Sequence, residues 1–488
     1  MTMTDKILER FQQIDSVPRK SKNEAKISEW LMKWAQEHHL SAKKDKVNNV
    51  VIQVPATPGY EQSPTIVLQG HMDMVCEKTP ESKHDFTKDP IQFVTQGEWL
   101  NANQTTLGAD NGIAIAMALV LAEQTDIGHP ALELLFTVDE ETGLTGANAL
   151  ESGFITGKIL LNLDSEDEGV FTVGCAGGKT TEISLPLSMA KVPSSHQVYC
   201  LKVSGLKGGH SGVDIHCQRA NGIIILARTL YRLAKLGQVM VAQFHGGAAH
   251  NAIPRDAHAV VFINKKSEEQ AKQIVADMQK EIAAEYRRND PNLAIQLLPG
   301  MPEPNQQTPV PTKAMTEEQT KKAVDLLLAL PHGVAAMSME ISGLVETSNN
   351  LATISIKDNV LQVVTSQRSS VMSRLQAITD RIESLVRLSG GTTKTGDGYP
   401  SWAPDMDSKL LARCKEVYQK LMGKEPKVEA IHAGLECGII GGKYPGMDMI
   451  SFGPTIQNPH SPSERLHIPS ISKVWDFLVA LLQSYKVA

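Results

Sequence analysis

Hydrophobic and polar positions follow two different periods along the first part of the chain, which predicts helices interspersed with strands. Apolar residues recur at helical spacing from Ile7 to Ile14 and from Ile27 to Trp34, and the run Ile113–Leu121 predicts a buried helix. Short apolar runs predict buried strands at Val50–Val54, Thr65–Leu68, Leu132–Val138 and Lys158–Leu163. Continuous apolar strands of this kind indicate an α/β layer with a largely buried sheet.

The pattern changes near Thr180–Pro193, where apolar and polar positions begin to alternate as they do in half-solvated strands. The helices predicted beyond this point are Arg219–Leu236, Glu268–Arg287, Thr316–Leu330 and Val371–Leu388. The predicted strands lie within Glu182–Ser204 and at Val239–Phe244, Ala259–Asn264, Ala352–Ile356 and Val360–Thr365, and a polar loop is predicted at Asn305–Thr312. We interpret this stretch as an antiparallel sheet with helices on one face.

The first pattern returns after a Gly/Thr/Pro-rich linker at Ser389–Pro404. Helices are predicted at Asp407–Met422 and Ser472–Tyr485, and strands at Lys427–Ile431 and Met447–Phe452. The simplest organisation is one α/β domain, formed by residues 1–184 and 396–488, that is interrupted by an inserted α+β domain at residues 185–395.

Composition narrows the class of protein. The chain has 488 residues, which exceeds the ~250–300 residues at which single cores stop growing. Its apolar content of 41% and charged content of 21% are typical of a globular protein. The net charge of −6 argues against a nucleic-acid binder, which needs a basic face. The longest apolar run, Ile113–Ala122, is too short to span a membrane.

The cellular location can also be inferred from the chain. The N-terminal residues lack the apolar segment of a signal peptide. Six cysteines are scattered along the sequence and none form a C-x-x-C pair, so neither a disulfide framework nor a zinc ribbon is expected. We therefore expect a cytoplasmic protein that binds neither nucleic acid nor membrane.

Five short segments carry acidic or imidazole side chains; four of them lie beside the apolar runs, and the fifth comes almost 300 residues later. They are GHMD at 70–73, GADNG at 108–112, VDEETG at 138–143, LNLD at 161–164 and NPHSPSE at 458–464. Functional sites of open α/β sheets gather at the carboxyl ends of strands, and carboxylates placed there are costly unless water, partners or metal offset their charge. Each segment alone is also compatible with a turn or a solvated helix start. The hypothesis of a site therefore depends on their joint occurrence among apolar strands.

Together the segments supply three carboxylates and two imidazoles as candidate metal ligands, namely His71, Asp110, Glu141, Asp164 and His460. One divalent cation would leave this set with excess negative charge, whereas two cations with one hydroxide would be balanced by it. The charge thus favours a site for two divalent ions that share one carboxylate. Nitrogen and oxygen ligands without cysteine suit Zn²⁺, and Mn²⁺ and Co²⁺ fit the same ligands.

The spacing of neighbouring residues indicates supporting roles. His71 and Asp73 are two positions apart, so on a strand they would share a face, and Asp73 could accept the second N–H of His71. Glu140 and Glu141 are adjacent, and on an extended backbone their side chains would point apart. One of them could then bind metal while the other acts as general base toward a water molecule. The spacing does not decide which glutamate does which.

The segments GHMDMV, LGADNGIA, TVDEETGLTGA, LNLDSED and NPHSPSE resemble the metal-site motifs of the co-catalytic zinc metallopeptidase family. This family includes acetylornithine deacetylase, succinyl-diaminopimelate desuccinylase and carnosinase. The resemblance covers essentially the whole chain, including YPSWAPDMDS and IHAGLECG near its end. It implies a zinc-exopeptidase-like catalytic domain with a mixed, largely buried sheet between helices, and an inserted domain that serves as lid and as the surface of a homodimer.

The resemblance also implies how the ligands are shared. His71 and Asp164 would hold one metal ion, Glu141 and His460 would hold the other, and Asp110 would bridge the two. These assignments are carried over from the family's motifs.

Further roles follow from the same resemblance. Asp73 would orient His71, and Glu140, the first of the paired glutamates, would be the general base. In the inserted domain, GHSG resembles the family's histidine motif, so that the imidazole of His210 would stabilise the oxyanion, often in the partner subunit's centre. HNAIP resembles a motif whose asparagine contacts substrate, here Asn251.

Arg368 follows a predicted strand where the family has its arginine for the substrate carboxylate. Arg374 is a nearby alternative for the same role. His432 and Glu436, in IHAGLECG, are candidates for the pocket wall without an assigned role.

Three functions are therefore considered. The first, favoured by the resemblance along the whole chain, is a di-metal dipeptidase acting on unblocked dipeptides with a preference for Xaa-His, including β-Ala-His. The second is a metallo-deacylase that cuts an N-acyl amide with the same ligands. The third, a non-catalytic metal-binding protein, is disfavoured because all five ligands and Glu140 occur together.

Overall fold

The computed structural model of the protein describes residues 1–302 and 309–487. The chain divides into two compact units. The first unit comprises Met1–Cys175, Trp402–Ala430 and Leu435–Ala488, and the second comprises Ala176–Ser401 and Ile431–Gly434. Residues 305–308 of the predicted polar loop lie outside the described residues.

The division lies at residues 175–176 and 401–402, whereas the sequence pattern suggested 184–185 and 395–396. The difference has a clear cause in strand pairing. Gly177–Pro186 pairs along its whole length with Val360–Ser369, and it also pairs with Thr392–Thr395. Both ends of the inserted segment therefore belong to the sheet of the second unit.

The first unit is built around an eight-stranded sheet within the described residues. Its strands lie in the order Ser41–Lys44, Val50–Val54, Leu132–Thr137, Ile66–His71, Ile159–Asn162, Asp448–Ser451, Val170–Cys175 and Lys427–Ile431. Leu132–Thr137, Ile66–His71, Ile159–Asn162 and Asp448–Ser451 are parallel to one another, and the outer pairs for which a register is defined are antiparallel. The prediction of a mixed, largely buried sheet is confirmed.

Helices complete the first unit. They are Met3–Asp15, Ala25–Glu37, Ala109–Glu123, Glu140–Gly143, Thr145–Ala149, Lys409–Met422, Glu436–Lys443 and Ile468–Gln483. Nearly every side chain of Ala109–Glu123 is buried, as expected for a helix whose run Ile113–Ala122 is apolar on all sides. A separate small sheet joins Phe93–Gln96, Trp99–Ala102, Arg465–His467 and Ile456–Gln457.

The second unit contains an antiparallel sheet. Along the sheet its described strands are Ala294–Pro299, His196–Ser204, Ala257–Asn264, Val239–Gly246, Val345–Lys357, Val360–Ser369, Gly177–Pro186 and Thr392–Thr395, with Gly333–Met337 also paired to Val345–Lys357. Short two-stranded ladders join Met189–Lys191 to Lys313–Met315 and Gly209–His210 to Ala252–Ile253. The α+β character predicted for this part of the chain is thus observed.

Helices cover one face of this sheet. They are Gly222–Ala234, Glu268–Glu285, Glu317–Ala329 and Met372–Leu388, with short 3-10 turns at Ile215–Cys217 and Lys265–Ser267. Val239 and Val241 belong to the core beneath the helices, whereas Met240 and Ala242 belong to a small cluster of their own. The alternation of the strand therefore sorts its side chains to two faces. No helix among the described residues is long and apolar enough to cross a membrane.

Candidate functional site

Three of the five segments meet at one edge of the first unit's sheet. His71 is the last residue of Ile66–His71, Glu141 follows Leu132–Thr137, and Asp164 follows Ile159–Asn162. These three strands are adjacent and parallel. Their carboxyl ends therefore deliver one imidazole and two carboxylates to the same place.

The fourth segment brings Asp110 to the same edge at the start of a buried helix. Gly108, directly before the helix Ala109–Glu123, has φ +73°. Within the first turn, Asp110 and Asn111 have non-helical backbone angles. The carboxylate of Glu464 accepts hydrogen bonds from the backbone N–H groups of Leu107, Gly108 and Asp110 at 2.7–3.3 Å. Burial raises the pKa of Glu464 to about 7. The sequence analysis did not assign Glu464 a role, although it lies in the same motif as His460.

The two carboxylate oxygens of Asp110 divide the site into two halves. Oδ1 lies 3.0 Å from Nε2 of His71, which is also 3.4 Å from Oδ1 of Asp164. Oδ2 lies 3.0 Å from Nε2 of His460, which is also 3.0 Å from Oε2 of Glu141. Each half thus combines one imidazole, one further carboxylate and one oxygen of Asp110.

The donor chemistry of these residues fits metal ions. His71, Asp110 and Glu141 offer ligand atoms that all lie within 4.8 Å of one another. Oε1 of Glu141 and Oδ1 of Asp164 are buried and have no hydrogen-bond partner among the described residues. A buried carboxylate oxygen without a donor is costly, and a cation is the partner that would offset this cost for two carboxylates at once.

Asp73 contacts both His71 and the paired glutamates. Nδ1 of His71 is 3.1 Å from the carbonyl oxygen of Asp73 and 3.4 Å from its carboxylate. The carboxylate also accepts the backbone N–H groups of Glu140 and Glu141 at 3.0 and 3.3 Å, and the hydroxyl of Ser21 at 2.8 Å. Asp73 therefore fixes the backbone of the paired glutamates as well as lying against the imidazole of His71.

The expectation that Glu140 and Glu141 lie on extended backbone is wrong. They begin a short helix, Glu140–Gly143, which follows Asp139 in a left-handed conformation with φ +50°. Successive side chains still diverge on a helix, because each residue turns by about 100°. Burial raises the pKa of Glu140 well above its usual value, and the nearby carboxylates of Asp164 and Glu436 raise it further.

The imidazoles and carboxylates of the site shift one another's pKa values. Burial raises the pKa of Asp164 to about 6. For Asp110, burial acts in the same direction, but the hydrogen bonds with His460 and His71 lower its pKa below the usual range. Burial lowers the pKa of His71, yet the surrounding carboxylates raise it well above its usual value. Metal binding would therefore displace protons from the imidazoles.

Two more polar residues position the ligands. The side-chain oxygen of Asn111 accepts the backbone N–H of His71 at 3.2 Å, and its amide donates to the carbonyl of Leu163 at 3.0 Å. Gly70 is required for this contact, since a Cβ there would lie 2.3 Å from the Asn111 oxygen. The positioning role of Asn111 depends on contacts between segments distant in the sequence. The sequence pattern alone could not predict it.

The second unit holds a separate polar cluster around Arg368. The guanidinium is buried, with 6% of the residue exposed, and no carboxylate of the described residues pairs with it. Nη1 donates to the hydroxyl of Tyr399 at 2.8 Å and Nη2 to that of Ser211 at 3.4 Å, while Nε has no partner among the described residues. Arg374, the alternative, is half-exposed and pairs with Glu346 at 3.2 Å.

His210 belongs to the same cluster. Its Nδ1 accepts the backbone N–H groups of Gly212 and Val213 at 3.3 and 3.1 Å. The proton of the neutral ring must then lie on Nε2, which becomes a hydrogen-bond donor. Burial and the charge of Arg368 lower the pKa of His210 to about 4, so the ring is neutral near pH 7.

Asn251 lies beside His210, because Gly209–His210 pairs with Ala252–Ile253. The carbonyl of Asn251 accepts the N–H of Ser211 at 2.8 Å, and its side chain is exposed. The structure therefore places His210 and Asn251 side by side, while their roles toward the oxyanion and the substrate stay predictions.

His432 reaches this cluster by an unexpected route, since the chain returns to the second unit for only four residues, Ile431–Gly434. Its Nε2 is 2.7 Å from the hydroxyl of Ser348. Burial and the charge of Arg368 lower the pKa of His432 to about 3. A Cβ on Gly212 would lie 2.2 Å from the His432 carbonyl and 3.2 Å from Nε of Arg368, so only glycine fits there.

Fold and site together define a metallopeptidase-like α/β protein, and comparison with known proteins establishes the family. The chain belongs to peptidase family M20/M25/M40, whose sequence profile matches residues 67–484. It is therefore an enzyme that hydrolyses peptide bonds. This confirms the family resemblance of the motifs and the zinc-exopeptidase-like fold.

Particular relatives are similar along almost the whole chain. The cytosol non-specific dipeptidase of Escherichia coli (strain K12) is 38% identical over 473 residues, which cover 97% of this chain and 96% of the relative. The crystal structure of aminoacylhistidine dipeptidase from Vibrio alginolyticus matches with a TM-score of 0.88 and 37% identity, covering 98% and 96% of the two chains. Within the family, the motifs quoted above resemble those of bacterial aminoacyl-histidine dipeptidases. The match to the Vibrio alginolyticus structure confirms this narrower resemblance.

A more distant match extends the likeness of fold only. The aminopeptidase PepT structure from Bacillus cereus ATCC 10987 is 16% identical, with a TM-score of 0.57 over 99% of this chain and 100% of the other.

Proposed function

We propose that this protein is a cytoplasmic di-metal dipeptidase that hydrolyses unblocked dipeptides and prefers Xaa-His substrates, including β-Ala-His. The names of the Escherichia coli and Vibrio alginolyticus relatives support the dipeptide substrate, and the former supports the location. The observation that carries the metal part of the proposal is the division of the site by Asp110, whose two oxygens each face one imidazole.

In this proposal the two halves would each hold one divalent ion. His71 and Asp164 would be ligands of one ion and Glu141 and His460 of the other, and the carboxylate of Asp110 would serve both. Zn²⁺ suits these nitrogen and oxygen ligands, and Mn²⁺ and Co²⁺ fit them as well. When bound, such ions polarise the scissile carbonyl and make a water molecule more acidic.

Glu140 is the proposed general base. Burial raises its pKa well above the usual value, which makes the carboxylate a stronger base toward water. It takes a proton from the attacking water as the new C–O bond forms, and returns it to the nitrogen as the C–N bond breaks. Asp73 holds the backbone N–H of Glu140 and thereby fixes where this carboxylate lies.

The second unit supplies the proposed substrate-binding groups. Arg368 is a buried cation without a carboxylate partner among the described residues, which suits the C-terminal carboxylate of a dipeptide. His210, neutral with its proton on Nε2, suits a donor to the oxyanion. Asn251 is the proposed contact to the substrate beside it. These side chains would make the inserted unit a lid, and we propose that the same unit forms the surface of a homodimer.

Metal analysis combined with a substrate panel tests the proposal. The protein, loaded with Zn²⁺ and desalted, should retain close to two equivalents per chain and lose its activity to a chelator. It should hydrolyse Ala-His and β-Ala-His but not an N-acetyl amino acid, and light scattering should give the mass of a dimer. Full activity with a single metal ion would overturn the bridging role of Asp110. Faster cleavage of the N-acetyl amino acid would favour the deacylase instead.

Mixed dimers test which copy His210 serves. Glu140→Gln leaves the second unit intact, and His210→Ala leaves the metal centre intact. If His210 acts on the partner's centre, mixing the two inactive variants restores activity. If it acts within its own chain, the mixture stays as inactive as its components.

A further inference from the structure

A band of buried polar residues lies at the strand ends of the first unit, directly before the proposed ligands. Gln69, Thr137 and Asn162 come from three adjacent parallel strands, and Glu436 begins the helix Glu436–Lys443. Each of the four is at most 1% exposed. Polar side chains in such a place are costly unless they are hydrogen-bonded, so their partners reveal what they do.

Hydrogen bonds join the four residues into one chain. Oε2 of Glu436 accepts the amide of Gln69 at 2.6 Å and the hydroxyl of Thr137 at 2.7 Å. The side-chain oxygen of Gln69 accepts the amide of Asn162 at 2.6 Å. A single carboxylate therefore connects the ends of three strands, two of them directly and the third through Gln69.

The linked residues stand at short, fixed distances along the chain from the metal site. Gln69 is two residues before His71, and Asn162 is two residues before Asp164. Thr137 is the last residue of the strand that leads into the Glu140–Gly143 helix. A shift of any one strand end would move a proposed ligand by a similar amount.

The contacts with the strands use only one oxygen of the Glu436 carboxylate. Oε1 of Glu436 is buried and has no hydrogen-bond partner among the described residues, which costs free energy in a metal-free core. A negative charge at this place is compensated when cations are bound nearby. The side chain is therefore better suited to the metal-bound state than to packing alone.

From this geometry, and resting on the proposed function, we propose that Glu436 is a positioning residue of the metal centre. Its carboxylate holds the ends of the three strands in the arrangement that metal binding needs, and its charge stabilises the bound cations without ligating them. Residues that orient metal ligands typically affect metal affinity ~10–100-fold.

The test compares Glu436→Gln with Glu133→Gln. Glu133 is a matched control, since it is equally buried in the strand Leu132–Thr137 but at its opposite end, where it accepts Thr156 and Gly157. Both variants replace a buried carboxyl group with an amide. Co²⁺ is titrated into each metal-free protein, and the visible d–d spectrum and the affinity are recorded together with the thermal midpoint of the metal-free form.

We expect Glu436→Gln to bind Co²⁺ ~10–100-fold more weakly, with an altered spectrum. Glu133→Gln should keep the parent's affinity and spectrum, whatever its thermal midpoint. Parent-like affinity and spectrum in Glu436→Gln would overturn the proposal, and so would an equal loss in both variants. If Glu436→Gln does not fold, Thr137→Val replaces it, with a severalfold loss of affinity expected and unchanged affinity as the opposing result. A parent protein that binds no Co²⁺ would instead refute the proposed function.

Discussion

The two polar clusters, one in each unit, have opposite charge but the same deficiency. The cluster of the first unit consists mainly of carboxylates, of which Glu141 and Asp164 keep buried oxygens without a hydrogen-bond partner among the described residues. The cluster of the second unit surrounds the buried guanidinium of Arg368, which lacks a carboxylate there. Neither cluster is balanced by its own residues. The proposed function assigns them ligands of opposite sign, cations for the first and an anion for the second.

Histidines make the contrast sharpest. Hydrogen bonds with Asp110 and Glu141 raise the pKa of His460 to about 11. In the second unit, burial and the charge of Arg368 lower the pKa of His210 to about 4. The same side chain is thus a cation in one metal-free cluster and a neutral donor in the other, and its neighbours decide which.

The largest expected effect concerns the paired glutamates of the first cluster. Glu140→Gln should keep both metal ions but lower kcat roughly 10²–10⁴-fold, the range for loss of a general base. Glu141→Gln, which removes the same charge one residue later, should instead weaken metal binding. Metal content and kcat measured on both variants separate the two roles. If the two variants behaved the other way round, the assignment within the pair would be reversed.

The second-largest expected effect tests whether the cluster around Arg368 binds the carboxylate of the substrate. Arg368→Ala should slow hydrolysis of a free dipeptide by about 1.5–3 kcal/mol, or roughly 10- to 150-fold in kcat/KM. Dipeptide amides, which lack the carboxylate, should already be poor substrates and should lose less. Arg374→Ala is the matched control, because that arginine is half-exposed and paired with Glu346. Equal losses on free dipeptide and amide would contradict carboxylate recognition, and equal parent rates on dipeptides and tetrapeptides would contradict a closed lid.

The smallest expected effect is on the free energy of unfolding. It tests whether His432, in the second cluster, is neutral in the folded protein. The pKa of His432 is lowered to about 3, so the unfolded chain binds a proton below pH ~6.5 that the folded chain does not. Folding stability should therefore fall as pH decreases from about 6.5 toward 3. His432→Gln removes this contribution. Between pH 7 and pH 5 the free energy of unfolding should therefore fall less in the variant than in the parent, by up to about 2 kcal/mol. Urea midpoints at the two pH values measure the difference, and parallel losses would show that His432 is protonated in the folded protein.

Much of the first unit could be predicted because its signals are local. Apolar runs such as Leu132–Val138 and Lys158–Leu163 coincide with strands, whose ends are shorter or longer by one or two residues. Three of the five ligand candidates, His71, Glu141 and Asp164, are brought together by the parallel strands of the sheet. The short helix Glu140–Gly143 was missed, since four residues are too few to establish a helical period.

The supporting residues could not be predicted, because their partners are distant in the sequence. Glu464 binds the backbone before Asp110, and Glu436 binds Gln69 and Thr137, across several hundred residues. Nor does any local pattern mark the return of residues 431–434 to the second unit, which only the tertiary contacts define. For His210, Asn251 and Arg368, the roles remain predictions.

The order of the proposed ligands along the chain has a consequence for biosynthesis. Asp164 and His460 are separated by almost 300 residues, most of which form the second unit. At a typical elongation rate of 5–20 residues per second, a ribosome takes roughly 15–60 s to cover that distance. A nascent chain therefore carries four of the five ligands long before the fifth is translated. In the proposed arrangement, a fragment released early by the ribosome would lack His460 and, with it, one ligand of the second metal ion.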